Sequence, residues 1–147
     1  MPSLRVLALA AVLSSSLASF SVSAQTFAAE LGAANRNPAE REAVAGDGDV
    51  TATLTGSRLE ITGSFEGLPA NVTGAKLHHG VATGARGRGT VIAELAVTGA
   101  TSGTLSGTVV LTAEQAAALN AGQLYIQIYS EKGVLPDHDT LFGWLLR

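Results

Sequence analysis

The sequence predicts an all-β domain of about eight strands, arranged as a sandwich or a barrel. After residue 24, apolar and polar residues alternate with a period of two in one segment after another. Gly and Thr interrupt these segments at short, regular intervals, as turns do in antiparallel sheets. One segment near residue 115 has the signals of a short helix instead. The fold class is therefore all-β with one connecting helix.

The first 24 residues have the pattern of a signal peptide. Arg5 precedes a short apolar run over residues 7–13, and small residues at 22–24 are typical of a signal-peptidase site. The run is shorter than the roughly 20 apolar residues that span a membrane, although an uncleaved N-terminal anchor is the alternative. We therefore predict a signal peptide over residues 1–24 and one exported domain over residues 25–147. That domain would be periplasmic or secreted, with no membrane span after cleavage.

Composition narrows the range of functions. The chain has a net charge of −3 and no clustered basic segment, which argues against nucleic acid as a partner. It contains no Cys, so an exported domain of this sequence must be held together by its core without disulfides. One domain of this length can bury enough apolar surface to do so.

Three alternating segments in the first half of the chain predict three strands. A loop over residues 32–48 separates the first from the second, and Gly56-Ser57 is typical of a hairpin turn between the second and third. The inward-facing apolar residues of the three strands, in order, are Phe27, Ala29 and Leu31; Val50, Ala52 and Leu54; and Leu59, Ile61 and Phe65.

The second half predicts further strands around a short helix. Thr112 and Gln115 have the spacing of a capping box, and Gly122 can end the helix with a positive φ. The predicted inward residues of the strands before and after the helix are Ala75 and Leu77; Val91, Ala93, Leu95 and Val97; Leu105, Val109 and Leu111; and Leu124, Ile126 and Ile128.

The order of these segments resembles the CHRD domain, a β-domain described in chordin and found in exported bacterial proteins. The residues that carry the resemblance are Ala75-Lys76-Leu77-His78-His79-Gly80, the helix pattern of Leu111, Thr112, Gln115, Leu119 and Gly122, the strand Leu124-Tyr125-Ile126-Gln127-Ile128-Tyr129-Ser130, and Leu141-Phe142-Gly143-Trp144-Leu145. The resemblance implies that residues 25–147 form an immunoglobulin-like or superoxide-dismutase-like Greek-key β-sandwich.

The polar positions of the family pattern are changed in this chain. Family members carry three histidines on two strands; here the first is Lys76, the second is kept as His78 and the third is Tyr129. On the last strand, Phe142 and Trp144 stand where the family has Arg and Gln. The family's fold is therefore expected here, whereas its polar site is not carried over intact.

A metal site is one hypothesis for these residues. Alternation along a strand puts Lys76 and His78 on the same outer face, so the family's three histidines would meet there. Grouped His side chains suit Zn²⁺ or Cu²⁺, and either His79, next to His78, or His138, in the loop before the last strand, could assist His78. Against this, the ammonium of Lys76 would repel a metal ion, and a lone surface His is ordinarily just solvated. We predict no cofactor, with copper or zinc as the alternative.

An aromatic binding face is the other hypothesis. If the family pattern turns Leu141, Gly143 and Leu145 inward, the residues between them face outward. Together with Lys76, the predicted binding face comprises Tyr125, Tyr129, Phe142 and Trp144. Such a face suits a partner protein or a glycan, and could form a homodimer. A register slip of one residue would instead make the last-strand aromatics core residues.

We therefore predict an exported, non-enzymatic binding or interaction module that uses the outer face of a sheet. The alternative is a copper- or zinc-binding protein with a partly degenerate His site, and a purely structural surface domain is a third hypothesis. No Ser/His/Asp or Cys/His triad and no nucleophile elbow can be assembled from the sequence.

Overall fold

The computed structural model describes residues 21–33, 44–80, 89–134 and 138–147. In chain order the elements are β1 (Ala24–Ala33), β2 (Asp47–Thr55), β3 (Arg58–Glu66), β4 (Val72–His79), β5 (Thr90–Gly99), β6 (Gly103–Val110), α1 (Ala113–Asn120), β7 (Leu124–Val134) and β8 (Asp139–Trp144). The prediction of an all-β chain with one short helix is confirmed. The predicted signal peptide lies outside the described residues as far as residue 20.

The strands close into one barrel, which corrects the expected two-sheet sandwich. Their order around the ring is β1-β2-β3-β6-β5-β4-β7-β8, with β8 returning to β1. Two strands change their pairing partner along their length. In β1, residues 24–31 pair with β2 and residues 32–33 pair with β8. In β5, residues 90–95 pair with β4 and residues 96–99 pair with β6. Because β1 and β5 each pair with a strand on either side, they join β2, β3 and β6 to β4, β7 and β8 in one continuous ring.

The core fills the interior of this ring. Alternation along each strand turns the predicted apolar residues inward, and nearly all of those in the first half of the chain are buried. The largest fully buried side chains are Phe27, Val50, Leu59, Ile61, Leu77, Leu105, Leu119, Leu124, Ile126, Ile128, Leu141 and Leu145. Leu141 and Leu145 confirm the inward register expected for the last strand, so the slipped alternative is wrong.

Helix α1 joins β6 to β7 across one end of the barrel. Thr112 is its N-cap, and the capping box is complete: the Thr112 hydroxyl accepts from the Gln115 backbone N–H, and the Gln115 side chain accepts from the Thr112 N–H. Gly122 follows the helix at φ 70°. The helix adds Ala118 and Leu119 to the core.

A bulge at the start of β5 changes one predicted orientation. The register between β4 and β5 shifts between Leu77 and His78, so that His78 pairs with Val91 and Leu77 with Ala93. Val91 was expected to point inward, but it lies on the outer face and is 47 % exposed. An extra residue in one strand reverses the alternation locally, and no pattern in the sequence marks it.

Candidate functional site

The outer face of β4, β7 and β8 carries polar and aromatic side chains in matched rows. These strands are hydrogen-bonded neighbours, so residues paired across the ladders lie side by side on one face. Read from β4 through β7 to β8, the rows are His78, Tyr125 and Trp144; Lys76, Gln127 and Phe142; and Gly74, Tyr129 and Asp139. The residues of the predicted binding face thus lie on neighbouring strands, on the same outer face of the sheet.

This outer face is less exposed than the sequence suggested. Five consecutive residues of β7, from Leu124 to Ile128, are buried, although alternate ones point away from the core. Tyr125 is 7 % exposed and Gln127 is 8 % exposed. Tyr125 is therefore not an open aromatic platform; it belongs to a second, outer layer of packing.

The first row forms a packed aromatic series across three strands. The rings of His78 and Tyr125 are stacked, with centroids 4.8 Å apart and an interplanar angle of 7°. The rings of Tyr125 and Trp144 meet edge to face at 4.9 Å. Trp144 packs so closely over Gly80 that a Cβ at that position would lie 2.6 Å from its six-membered ring. Gly80 therefore provides the space in which Trp144 lies.

The backbone of Gly89 holds two members of this row in place. Its N–H donates to the Tyr125 hydroxyl at 2.9 Å, and its carbonyl lies 3.2 Å from Nδ1 of His78. A carbonyl can only accept, so Nδ1 of His78 carries a proton. In the neutral ring Nε2 is then an acceptor, and it lies 2.8 Å from the Tyr129 hydroxyl. The Tyr129 hydroxyl therefore donates a hydrogen bond to Nε2 of His78.

His78 is neutral near pH 7. Burial lowers the pKa of its imidazole, and the nearby ammonium of Lys76 acts in the same direction. The hydrogen bond to Gly89 and the carboxylate of Asp139 oppose this effect, but the pKa of His78 still lies below its usual value. The neutral form fits the two hydrogen bonds, because each ring nitrogen then has one partner of the correct kind.

Lys76 lies between a carboxylate and an aromatic ring. Its Nζ is 3.8 Å from Oε1 of Glu94 on β5, and 5.5 Å from the centroid of the Tyr129 ring. Tyr129 pairs with Gly74 in the ladder, yet its hydroxyl reaches His78. Its side chain therefore runs diagonally over β4, beside Lys76.

Gln127 is oriented by the sheet beneath it. Its Nε2 donates to the carbonyls of Leu141 at 2.8 Å and Ile128 at 3.3 Å. The amide donors are thus used within the sheet, and the side-chain carbonyl Oε1 is the acceptor that remains for the outer face.

These groups line a cavity of about 650 Å³ on the outer face, which we call the outer cleft. It lies over β4, β5 and β7 and extends to the start of β8. Its polar lining includes Lys76, His78, Glu94, Gln127, Tyr129 and Asp139. The sequence did not indicate Glu94 or Gly89 as site residues. Alternation in β5 turns Glu94 outward, but only the pairing of β5 with β4 brings it next to Lys76. Gly89 contributes backbone atoms, and these are the same for every residue type, so the sequence does not mark them.

A second concavity of about 460 Å³ lies along the seam between β1 and β8, and we call it the seam groove. Phe142, which is 38 % exposed, and Trp144 line it, together with Glu30, Gly32 and Leu146. The predicted binding face is therefore divided. Lys76, Tyr125 and Tyr129 line the outer cleft, whereas Phe142 and Trp144 line the seam groove.

The three histidines of the metal hypothesis are placed differently from one another. His79 pairs with the core residue Leu124, which puts it on the opposite face of β4 from His78. His138 lies just before β8 with φ 63°, and its Nδ1 is buried without a hydrogen-bond partner. Among the described residues, no group of three or more His, Cys, Asp or Glu side chains is placed to hold a metal ion. Metal binding stays a prediction without an assembled ligand set in this part of the chain.

Of the comparisons with known proteins, one identifies a family for this chain. In the part of the chain that the structure describes, no helix has the length and apolar character needed to cross a membrane. No curated protein and no solved structure matches the chain. The family model of the CHRD domain matches residues 27–133, which include β1 to β6, α1 and most of β7. Since this match covers most of the sequence, the chain belongs to the CHRD domain family.

Proposed function

We propose that this CHRD-family chain is an exported, non-enzymatic binding module and that the outer cleft is its ligand site. One observation carries the proposal: the outer face of an otherwise ordinary barrel holds a cavity of about 650 Å³ in which charged, amide and phenol groups converge. Ligand sites are typically cavities of roughly 300 to 1,000 Å³ with a few placed polar groups. The outer packing layer around Tyr125 holds those groups in position.

Binding is favoured over catalysis by the state of His78. Both ring nitrogens already have hydrogen-bond partners within the protein, Gly89 and Tyr129. A general base needs a nitrogen within reach of substrate, and a metal ligand needs a lone pair that is not already used. Either role would require His78 to give up the Tyr129 hydrogen bond. The ammonium of Lys76 further opposes a bound cation of high charge at this position.

The proposal of export rests on the sequence, and the proposed class of partner rests on the sequence and on the surface of the site. The predicted signal peptide supports a periplasmic or secreted protein, and the absence of a basic cluster argues against nucleic acid. A partner protein or a glycan fits a surface that offers both polar groups and aromatic rings. The seam groove, with Phe142 exposed, is the competing location for such a partner or for a second copy of the chain.

Two glycines allow the outer cleft and the seam groove to be tested separately. Gly74 lines the outer cleft and Gly32 lines the seam groove, and a Cβ at either position would meet no atom within 4 Å. Leucine at each site should therefore fill one concavity and leave the fold intact. We would screen a panel of amines, carboxylates, sugars and aromatic alcohols against the ¹⁵N-labelled protein, and follow saturable shifts of the cleft amides by NMR.

The proposal predicts that at least one class of compound saturates shifts at Lys76, Gln127 and Tyr129. Those shifts should disappear in Gly74→Leu and persist in Gly32→Leu. Loss of binding only in Gly32→Leu would move the ligand site to the seam groove. A panel without any saturable shift at the cleft would refute the outer cleft as a ligand site.

A further inference from the structure

The polar atoms that face the outer cleft are mostly hydrogen-bond acceptors. Gln127 uses its amide nitrogen on two backbone carbonyls, so its Oε1 is the atom available to the cleft. The Tyr129 hydroxyl donates a hydrogen bond to neutral His78, so its oxygen can act towards other groups only as an acceptor. Glu94 and Asp139 add carboxylates, which accept only. A ligand that fits this lining must bring hydrogen-bond donors.

The charges of the cleft favour a cation over an anion. Of the described lining residues, Lys76 is positive, and Glu94 and Asp139 are negative. Because burial keeps His78 neutral near pH 7, it adds no positive charge beside Lys76. An anion that approached Lys76 would also meet Glu94, whose carboxylate lies 3.8 Å from the ammonium. The Glu94 carboxylate therefore opposes an anion at this position, whereas it attracts a cation that takes the place of the Lys76 ammonium.

Lys76 itself shows which cation the cleft stabilises. Its ammonium has the Glu94 carboxylate on one side and the Tyr129 ring face on another, 5.5 Å from the centroid. A carboxylate combined with an aromatic face is a favourable environment for an ammonium ion. The Lys76 side chain is 36 % exposed, so it can swing into solvent and give up this position.

We propose that the outer cleft binds an alkylammonium group, supplied by a free primary amine or by a lysine side chain of a partner protein, and that Lys76 competes with it for the same place. The inference rests on the proposed function and adds the chemistry of the ligand. It has an unusual consequence: removal of the one positive side chain among the described lining residues should strengthen ligand binding.

The test uses three probes of similar size and different charge: n-butylammonium, butyrate and 1-butanol. Each is titrated into the ¹⁵N-labelled protein at pH 7, and the shifts of Lys76, Gln127 and Tyr129 are followed. Butylammonium should give saturable shifts, and the other two should not. A fourth probe, Nα-acetyl-lysine N-methylamide, separates the two sources of the ammonium group. Tighter binding of this probe than of butylammonium points to a lysine of a partner protein, and weaker binding points to a free amine.

Substitutions at the ion pair Lys76–Glu94 have a matched control elsewhere on the barrel. Arg58 and Glu60 on β3 form an exposed ion pair at 3.1 Å, remote from the cleft lining. We expect Glu94→Gln to weaken butylammonium binding roughly threefold and Lys76→Met to strengthen it roughly threefold, in line with the modest energies of exposed charge pairs. Glu60→Gln and Arg58→Met should leave it unchanged.

The outcomes separate this inference from the proposed function. If butyrate or butanol saturates the cleft amides and butylammonium does not, the cleft is a ligand site but the ammonium inference is wrong. Weaker binding in Lys76→Met would also overturn it, provided that thermal unfolding shows the variant to be folded. If no compound saturates the cleft amides in either experiment, both proposals fail.

Discussion

The two sides of the barrel share the same inward alternation and differ on the outside. On β2 and β3, every buried residue is followed by an exposed or half-exposed one, so this plain side is solvated. On β7, at the centre of the cleft side formed by β4, β7 and β8, five consecutive residues are buried. A closed barrel requires only the alternation of buried and exposed residues seen on β2 and β3. The run of buried residues on β7 adds an outer layer of contacts, and the outer cleft lies within that layer.

The comparison teaches that alternation predicts which way a side chain points but not whether it is buried. Thr62 on β3 and Tyr125 on β7 both point away from the core, as the alternation predicts. Thr62 is exposed, whereas Tyr125 is enclosed by the rings of His78 and Trp144 and by the backbone of Gly89. The enclosed outward-facing residues of the cleft side, such as Tyr125, should therefore behave energetically like core residues.

The largest expected effect is a loss of stability, and it tests whether Tyr125 behaves like a core residue. Tyr125→Ala should lower the free energy of unfolding by about 3 kcal/mol, as for a buried aromatic residue in a core. Thr62→Ala, at an outward position of the plain side, should change it by no more than about 0.5 kcal/mol. Urea denaturation measures both. Similar small losses in the two variants would mean that the outer layer does not contribute to stability.

A smaller effect is expected from the Tyr129 hydroxyl. Tyr129→Phe leaves Nε2 of buried His78 without its donor, which should cost about 1 to 2 kcal/mol. The control is Thr104→Val, which removes an exposed hydroxyl pair with Thr98 at 2.6 Å. Because water replaces the lost partner there, its free energy of unfolding should change by less than about 0.5 kcal/mol. Equal losses would place His78 in contact with solvent.

The smallest effect should appear as a dependence on pH. The pKa of His78 is lowered in the folded state by burial, so the unfolded chain takes up the proton first as the pH falls. The contribution of neutral His78 to the free energy of unfolding is fully present above pH 6.5, the ordinary pKa of histidine, and is lost progressively as the pH falls below that value. Urea midpoints from pH 7.5 to 5 should fall less in His78→Gln than in the wild type.

The control for this pH series is His79→Gln, since His79 lies on the other face of β4. It should retain the part of the pH dependence that comes from His78. If His78→Gln and the wild type lose stability in parallel, protonation of His78 is not linked to folding, and the enclosed, neutral imidazole described above is wrong.

Local signals in the sequence were sufficient for most of the fold. Alternation identified the inward residues of β1 to β4 and of β7, and the capping box of Thr112 and Gln115 identified α1. The closure of the ring could not be predicted in the same way. It depends on how β1 and β5 each pair with two different neighbours along their length, and pairing between distant segments leaves no local pattern. The bulge that turns Val91 outward is invisible for the same reason.

The candidate site was predicted in part. Lys76, His78 and Tyr129 were placed on one outer face, because alternation and the order of strands in the family bring them together. The enclosure of Tyr125 and the approach of Glu94 were not predicted, since the first depends on the backbone of Gly89 and the second on the pairing of β5 with β4. Alternation predicted which residues share a face, but it could not predict that Gly89 and Glu94 approach that face from outside it.

The pairing of β1 with β8 makes the first strand of the barrel depend on the last. Until Leu141 and Phe142 are available, residues 32–33 of β1 have no partner and the ring stays open. Contacts between such distant segments form slowly, because a long loop must close before they gain any stability. A chain that is delivered from its N-terminus would therefore present an unpaired strand edge until delivery is complete. For a protein without disulfides, the period between emergence and ring closure is when aggregation and proteolysis compete most strongly with folding.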